Sequence, residues 1–79
     1  MKISYDPKFN IAYIHLREKP DEVETIHISD ELNIDISQDG KVCGIELLNA
    51  NEQLDIIKNK QIIFLNEQNN KMLSFPISI

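Results

Sequence analysis

The chain has 79 residues, of which 8 are Lys or Arg and 13 are Asp or Glu, giving a formal charge of −5 with one cysteine and two histidines. A single cysteine, Cys43, excludes an intrachain disulfide, and His15 and His27 lack the thiolate companions of a closed zinc site. No window approaches the ~20 apolar residues of a membrane-spanning helix. The acidic balance opposes the Lys/Arg-to-phosphate contacts on which nucleic-acid binding rests.

These limits predict one cytoplasmic domain over residues 1–79 that holds no metal or cofactor and binds neither nucleic acid nor a membrane. The start Met1-Lys2-Ile3-Ser4-Tyr5 has no basic segment followed by a long apolar run, as a secretory leader would. A chain this short removes only about 60% of its unfolded surface from water, so its core is thin. With neither disulfide nor metal as a staple, a second chain is the expected source of further burial.

Ile3 and Tyr5 alternate with Lys2, Ser4 and Asp6, a strand that stops at the Asp6-Pro7 turn. A second strand over Ile11 to Arg17 puts Ile11, Tyr13 and His15 on one face and Ala12, Ile14 and Leu16 on the other, core-facing side. After the exposed turn Glu18 to Glu22, Val23 to Ser29 alternates again, with Ile26 and Ile28 opposite Thr25 and His27. Leu32, Ile34 and Ile36 form a fourth strand, joined by the Gln38-Asp39-Gly40 turn to a fifth from Lys41 to Leu48. Gly44 within that strand suggests a bulge or a close approach by another part of the chain.

From Asn51 the period changes, which predicts a short helix over 51–60 with Asn51 as cap, Leu54 and Ile57 sharing a face, and Asn59 at its end. Gln61 to Leu65 and Met72 to Phe75 flank the polar stretch Asn66 to Asn70, a C-terminal hairpin over 61–79. Pro76 lacks an amide donor and belongs at an edge, and Ile77 and Ile79 need apolar cover, from this chain or a neighbour. The fold class is therefore α+β, mostly β: an antiparallel meander of about five strands, one short helix and a C-terminal hairpin.

Met1-Lys2-Ile3-Ser4-Tyr5-Asp6-Pro7, Tyr13-Ile14-His15-Leu16, Ile34-Asp35, Asp39-Gly40 and Val42-Cys43-Gly44-Ile45-Glu46-Leu47-Leu48 occur in that order within the first fifty residues. In this segment, residues 1–50, the chain resembles the prokaryotic family known as domain of unknown function 2283. The resemblance implies no activity attached to particular residues. In some genomes such genes accompany small putative toxins, which implies an antitoxin-like binding role. The family often carries Asp where this chain has Asn10 and Asn49, so an acid/base or metal role at those two positions is not implied here.

Three groups of side chains invite a functional reading. Tyr5, Asp6 and Tyr13 would form a hydrogen-bonded cluster if neighbouring strands brought both phenols to the carboxylate, although Asp-Pro turns and cross-strand aromatic pairs also arise for purely structural reasons. His15 and His27 would approach each other if their strands paired, and Glu46 would join Asp35 or Glu24 as paired carboxylates. Neither arrangement shows a nucleophile, base and orienting group at recognisable spacing, and exposed strand side chains account for both. Cys43 has no basic neighbour in sequence and reads as a small buried hydrophobe.

Asp21, Glu22, Glu24, Asp30 and Glu31 form the third group, an acidic surface suited to a small basic protein and equally suited to solubility alone. The expected function is thus a small acidic protein-binding module, antitoxin-like and self-associating as a dimer. A structural homodimer without catalytic activity is the first alternative. A small hydrolase or ligand-binding protein using Tyr5, Asp6, His15 and Glu46 is the second.

Overall fold

Period-two alternation of branched apolar and polar residues is what the chain offers a sheet, and the backbone follows it. The computed structural model describes residues 1–78 and, of Ile56 and Ile57, the backbone. Strands β1 (Lys2–Asp6), β2 (Ile11–His15), β3 (Val23–Ser29), β4 (Leu32–Ser37) and β5 (Val42–Leu48) make one antiparallel sheet. Helices α1 (Ala50–Leu54) and α2 (Ile56–Asn59) follow, then β6 (Gln61–Asn66) and β7 (Lys71–Pro76), which pair only with each other.

The mostly-β α+β class, the five antiparallel strands, the short helical segment and the C-terminal hairpin all match expectation. Strand order is where a sequential meander differs from the molecule. The order is β1-β2-β5-β4-β3, so β3, β4 and β5 do pair in sequence while β2 and β3 lie at a distance with β5 and β4 between them. Three strand spacings amount to ~14 Å. Residues 16–22 reach well beyond that when extended, so the short β2–β3 connection closes a Greek key without strain.

Two ion pairs fasten this crossover: Arg17 Nη1 lies 3.5 Å from Asp39 Oδ2, and Lys19 Nζ lies 3.3 Å from Asp35 Oδ2. On β5 the pairing with β4 slips by one residue, Asp35 facing Gly44 and Ile36 facing Val42, which leaves Cys43 as the extra residue of a bulge. The slip sets Val42 opposite Ile36, whereas unbroken alternation would keep it on the face of Gly44 and Glu46. Cys43 is buried, as a small hydrophobe should be.

The helix differs from expectation at its start and in its middle. It begins at Ala50, after Asn49 with φ 55°, so Asn51 sits in the first turn and not at the cap; Asp55, with φ 52°, breaks it in two. The expected apolar face shared by Leu54 and Ile57, and the packing of Ile79, lie outside the described residues. Ala12, Leu47 and Ala50 form the buried core, with Tyr5, Ile14, Leu32, Ile45 and Leu54 packed against it. Ala12 and Ala50 have no exposed surface and bring α1 down onto β2 where a larger residue would hold it off.

Candidate functional site

The two faces of the sheet separate by chemistry. Register places Ser4 opposite Tyr13, Tyr13 opposite Glu46, Glu46 opposite Asn33, and Asp35 opposite Thr25 and Gly44, so all these residues share one face. This face carries the most organised polar group in the molecule. The other face carries Ile14, Ile45, Ile34 and Ile26 in a row across four strands.

Asp35 is the centre of the polar face. Its side chain is buried, and it accepts hydrogen bonds from the Tyr13 hydroxyl at Oδ2 and from Thr25 Oγ1 at Oδ1, the latter 2.6 Å long. Lys19 closes the cage from the crossover loop. A buried carboxylate is costly unless its lone pairs are filled, and here β2, β3 and the loop all contribute. Donation from Thr25, then from Tyr13, with Lys19 beside it, holds the Asp35 carboxyl below its ordinary value. Burial, together with the same carboxylate as partner, pushes the Tyr13 phenol up to about 12.

Gly44 makes this geometry possible. The Tyr13 ring lies directly over it, and a β-carbon there would overlap the phenol oxygen and the ring. Tyr13 also packs against His15, their ring centroids 4.4 Å apart, and His15 Nε2 lies 3.3 Å from Ser4 Oγ. Further along the face, Asn33 Nδ2 donates to Glu46 Oε1 at 2.9 Å while Asn33 Oδ1 accepts from His27 Nδ1 at 2.8 Å.

A second polar cluster lies at the end of the sheet where α1 begins. The Asn10 carboxamide oxygen accepts from Tyr5 Oη at 3.2 Å and from the Asn51 backbone amide at 2.9 Å. Its nitrogen donates to Asn49 Oδ1 at 3.1 Å and Asn51 Oδ1 at 2.7 Å. Asn10 has φ 56° and Asn49 φ 55°, conformations asparagine tolerates better than most residues. One side chain thus ties the β1–β2 turn to the helix, using its full donor and acceptor capacity.

The sequence-predicted candidates fall into separate places. Tyr13, His15 and Glu46 share the polar face, but Tyr5 pairs with Ala12 and so points to the opposite one, which corrects the expected Tyr5–Asp6–Tyr13 cluster. Asp6 instead caps its own turn, accepting from the amides of Lys8 at 2.9 Å and Phe9 at 3.4 Å. His15 and His27 are kept apart by β5 and β4. Glu46 and Asp35 do share a face, with Glu24 on the other because it pairs with Ile36.

Asp21, Glu22, Glu24, Asp30 and Glu31 are all exposed, before, along and after β3, which is an edge strand. Sequence reading missed Asp35 as the hub, along with Thr25, Lys19 and the three asparagines. Alternation already put Asp35 opposite its apolar neighbours Ile34 and Ile36, but only the strand order reveals that Tyr13 reaches it across Gly44. Among the described residues, no group of His, Cys, Asp and Glu is arranged to hold a metal ion.

An apolar cleft of about 320 Å³ opens between β1 and the root of the hairpin, walled by Ile3, Tyr5, Leu54, Ile62 and Ile77. Ile77 is fixed there by its amide, which donates to Lys60 O at 2.7 Å.

A Greek-key sheet of five strands, stitched on its polar face around one carboxylate and capped by a short broken helix, defines a small α+β domain. The family described as a protein of unknown function, DUF2283, matches residues 2–51, more than half of the chain, and the chain belongs to that family. The match runs from β1 into α1 and ends before the hairpin. No curated protein and no solved structure matches the chain. Among the described residues, no helix is long and apolar enough to cross a membrane.

Proposed function

We propose that this domain is a cytoplasmic protein-binding module that holds a small basic protein along β3, in the manner of an antitoxin. The observation that carries the reading is the position of β3. It is an edge strand, so one side of its backbone offers unpaired amides and carbonyls, and five exposed carboxylates lie along it and just beyond its ends. Acidic side chains at such an edge repel a second acidic copy and attract a basic chain, raising its rate of encounter.

The hydrolase alternative has less behind it, since the sheet register puts Tyr5 on the face opposite His15 and Glu46, and the Asp6 carboxylate is engaged with the amides of its own turn. The hydroxyl, imidazole and carboxylate groups of the polar face are already engaged with one another.

The experiment is recovery of a tagged copy from its native host at moderate salt, followed by a four-site variant, Glu22→Gln, Glu24→Gln, Asp30→Asn and Glu31→Gln. The expected result is a small basic protein in fixed ratio, at least tenfold more weakly held by the variant and relieved of its toxicity on co-expression with the native chain. Equal binding by the variant, or no basic partner, overturns the proposal.

A further inference from the structure

Every residue of β6 and β7 is exposed, Phe64 by 61%. Their pairing sets Ile62 opposite Phe75 and Phe64 opposite Leu73 on one face, and Leu65 opposite Met72 on the other, where Ile63 also lies. A two-stranded ribbon is marginal in water by itself, and one that is apolar on both faces has no side to turn to solvent. The sheet has the converse deficiency. On its apolar face Ile26, Ile34, Ile36 and Ile45 are only half-buried, and Ile28 is exposed.

We infer that a second copy of this chain covers both surfaces: the Ile62/Phe64/Leu73/Phe75 face of each hairpin lies on the apolar sheet face of the other protomer, in a reciprocal two-fold exchange. Three features favour a second copy over another protein. Exchange is reciprocal, so each protomer contributes both a hairpin face with four exposed large apolar side chains and its own apolar sheet face, on the scale of the ~800 Å² that one partner gives a standard interface. Charge is also complementary within one sequence: residues 58–79 carry three lysines and one glutamate, net +2, whereas residues 1–57 carry five basic and twelve acidic residues, net −7.

The third feature is the route of the chain. Asp55 and Lys60, at φ 52° and 48°, bracket α2 and turn the backbone on either side of it, and the Ile77–Lys60 hydrogen bond closes the hairpin's root. The hairpin pairs with no strand of the five-stranded sheet and adjoins it at its root, where Ile62 and Ile77 face Ile3 and Tyr5 across the cleft, so it is a preformed arm. Reciprocal exchange of such arms gives a closed, isologous interface without requiring a new fold. The exchange is separable from the acidic-edge proposal, because it rests on the apolar side chains of the hairpin and the sheet face, whereas that proposal rests on the carboxylates along and beside β3.

Sedimentation equilibrium of the full chain should give the mass of two chains, and Phe64→Asp with Leu73→Asp should halve it while Asp30→Asn with Glu31→Gln, in the turn beyond β3, leaves it unchanged. Because the double aspartate variant is liable to unfold, a second test uses Cys43→Ala with Ile34→Cys and Leu73→Cys. Oxidation should link two chains, visible as a doubled mass on a non-reducing gel. A single-chain mass for the native protein, or a disulfide closed within one chain, overturns the inference.

Discussion

The five-stranded sheet and the C-terminal hairpin use the same residue types and the same antiparallel pairing, yet they are supported very differently. In the sheet, strands distant in sequence meet, and each meeting is fastened by side chains: Asp35 gathers β2, β3 and the crossover loop, and Asn10 gathers the first turn and α1. In the hairpin, pairing joins only neighbours along the chain, and its side-chain hydrogen bonds stay within the hairpin, such as Ser74 Oγ to Gln61 Oε1 at 2.8 Å. The contrast shows that strand pairing alone does not bury a surface; burial needs a second layer, which α1 supplies in part to the sheet. Substitutions in the sheet's polar network should therefore cost the same at any protein concentration, which gives the comparison a direct test.

Gly44→Ala should have the largest effect. The added methyl meets the Tyr13 ring, which must swing off the sheet and surrender its bond to Asp35. A loss of about 3 kcal/mol is expected from the overlap and the weakened carboxylate cage together. The check is urea denaturation of the native and substituted chains at two protein concentrations. Adding Tyr13→Ala to Gly44→Ala should cost much less than the two changes summed, because the ring that the methyl strikes is gone. Full additivity would mean that the Tyr13–Gly44 contact does not order the sheet.

Asn10→Asp comes next, at about 2 kcal/mol. A carboxylate in place of the amide cannot donate, so Asn49 Oδ1 and Asn51 Oδ1 would each face an anionic oxygen where they now accept a proton. Asn10→Asp combined with Asn51→Lys should regain part of the loss by supplying a cation. Thermal melting of the three chains decides it, and an unchanged melting temperature for Asn10→Asp would show that the clasp between the turn and α1 is not holding the helix.

What the sequence reveals follows the range of the physics involved. Strand positions, the Gln38-Asp39-Gly40 turn and the terminal hairpin depend on neighbours a few residues apart, and alternation is enough to read them. Gly44 was legible as an anomaly, and the structure explains it twice, by the bulge beside it and by the ring above it. The order β1-β2-β5-β4-β3 depends on which distant strand best fits β2, and no local pattern states that Tyr13 needs a glycine opposite its neighbour. The site inherits the same limit: Tyr5 and Tyr13 look adjacent until register puts them on opposite faces, and Asp35 looks like an ordinary strand carboxylate until three donors from other elements surround it.

The smallest effect, and the one that best isolates the polar face, is the pH dependence of stability. Asp35 has its carboxyl lowered in the folded state, so its contribution is complete above the ordinary carboxylate range and is lost as pH falls through the folded value. Tyr13 has its phenol raised from 10.0 to about 12, so the folded state favours the neutral form: the contribution is present below pH 10 and disappears as pH rises towards 12. Tyr13→Phe should cost ~1 kcal/mol near neutral pH, since Thr25 and Lys19 still serve the carboxylate, and it should remove the alkaline step while leaving an acid step. Asp35→Asn should reduce the acid step, leaving the part due to Asp39, whose carboxyl is held down chiefly by the Ser37 hydroxyl, and shrink the alkaline one, because the neutral amide no longer repels a phenolate. Denaturation midpoints across acid and alkaline pH for the three chains measure both. An alkaline step that survives Tyr13→Phe undiminished would detach the polar face from the alkaline stability of the sheet.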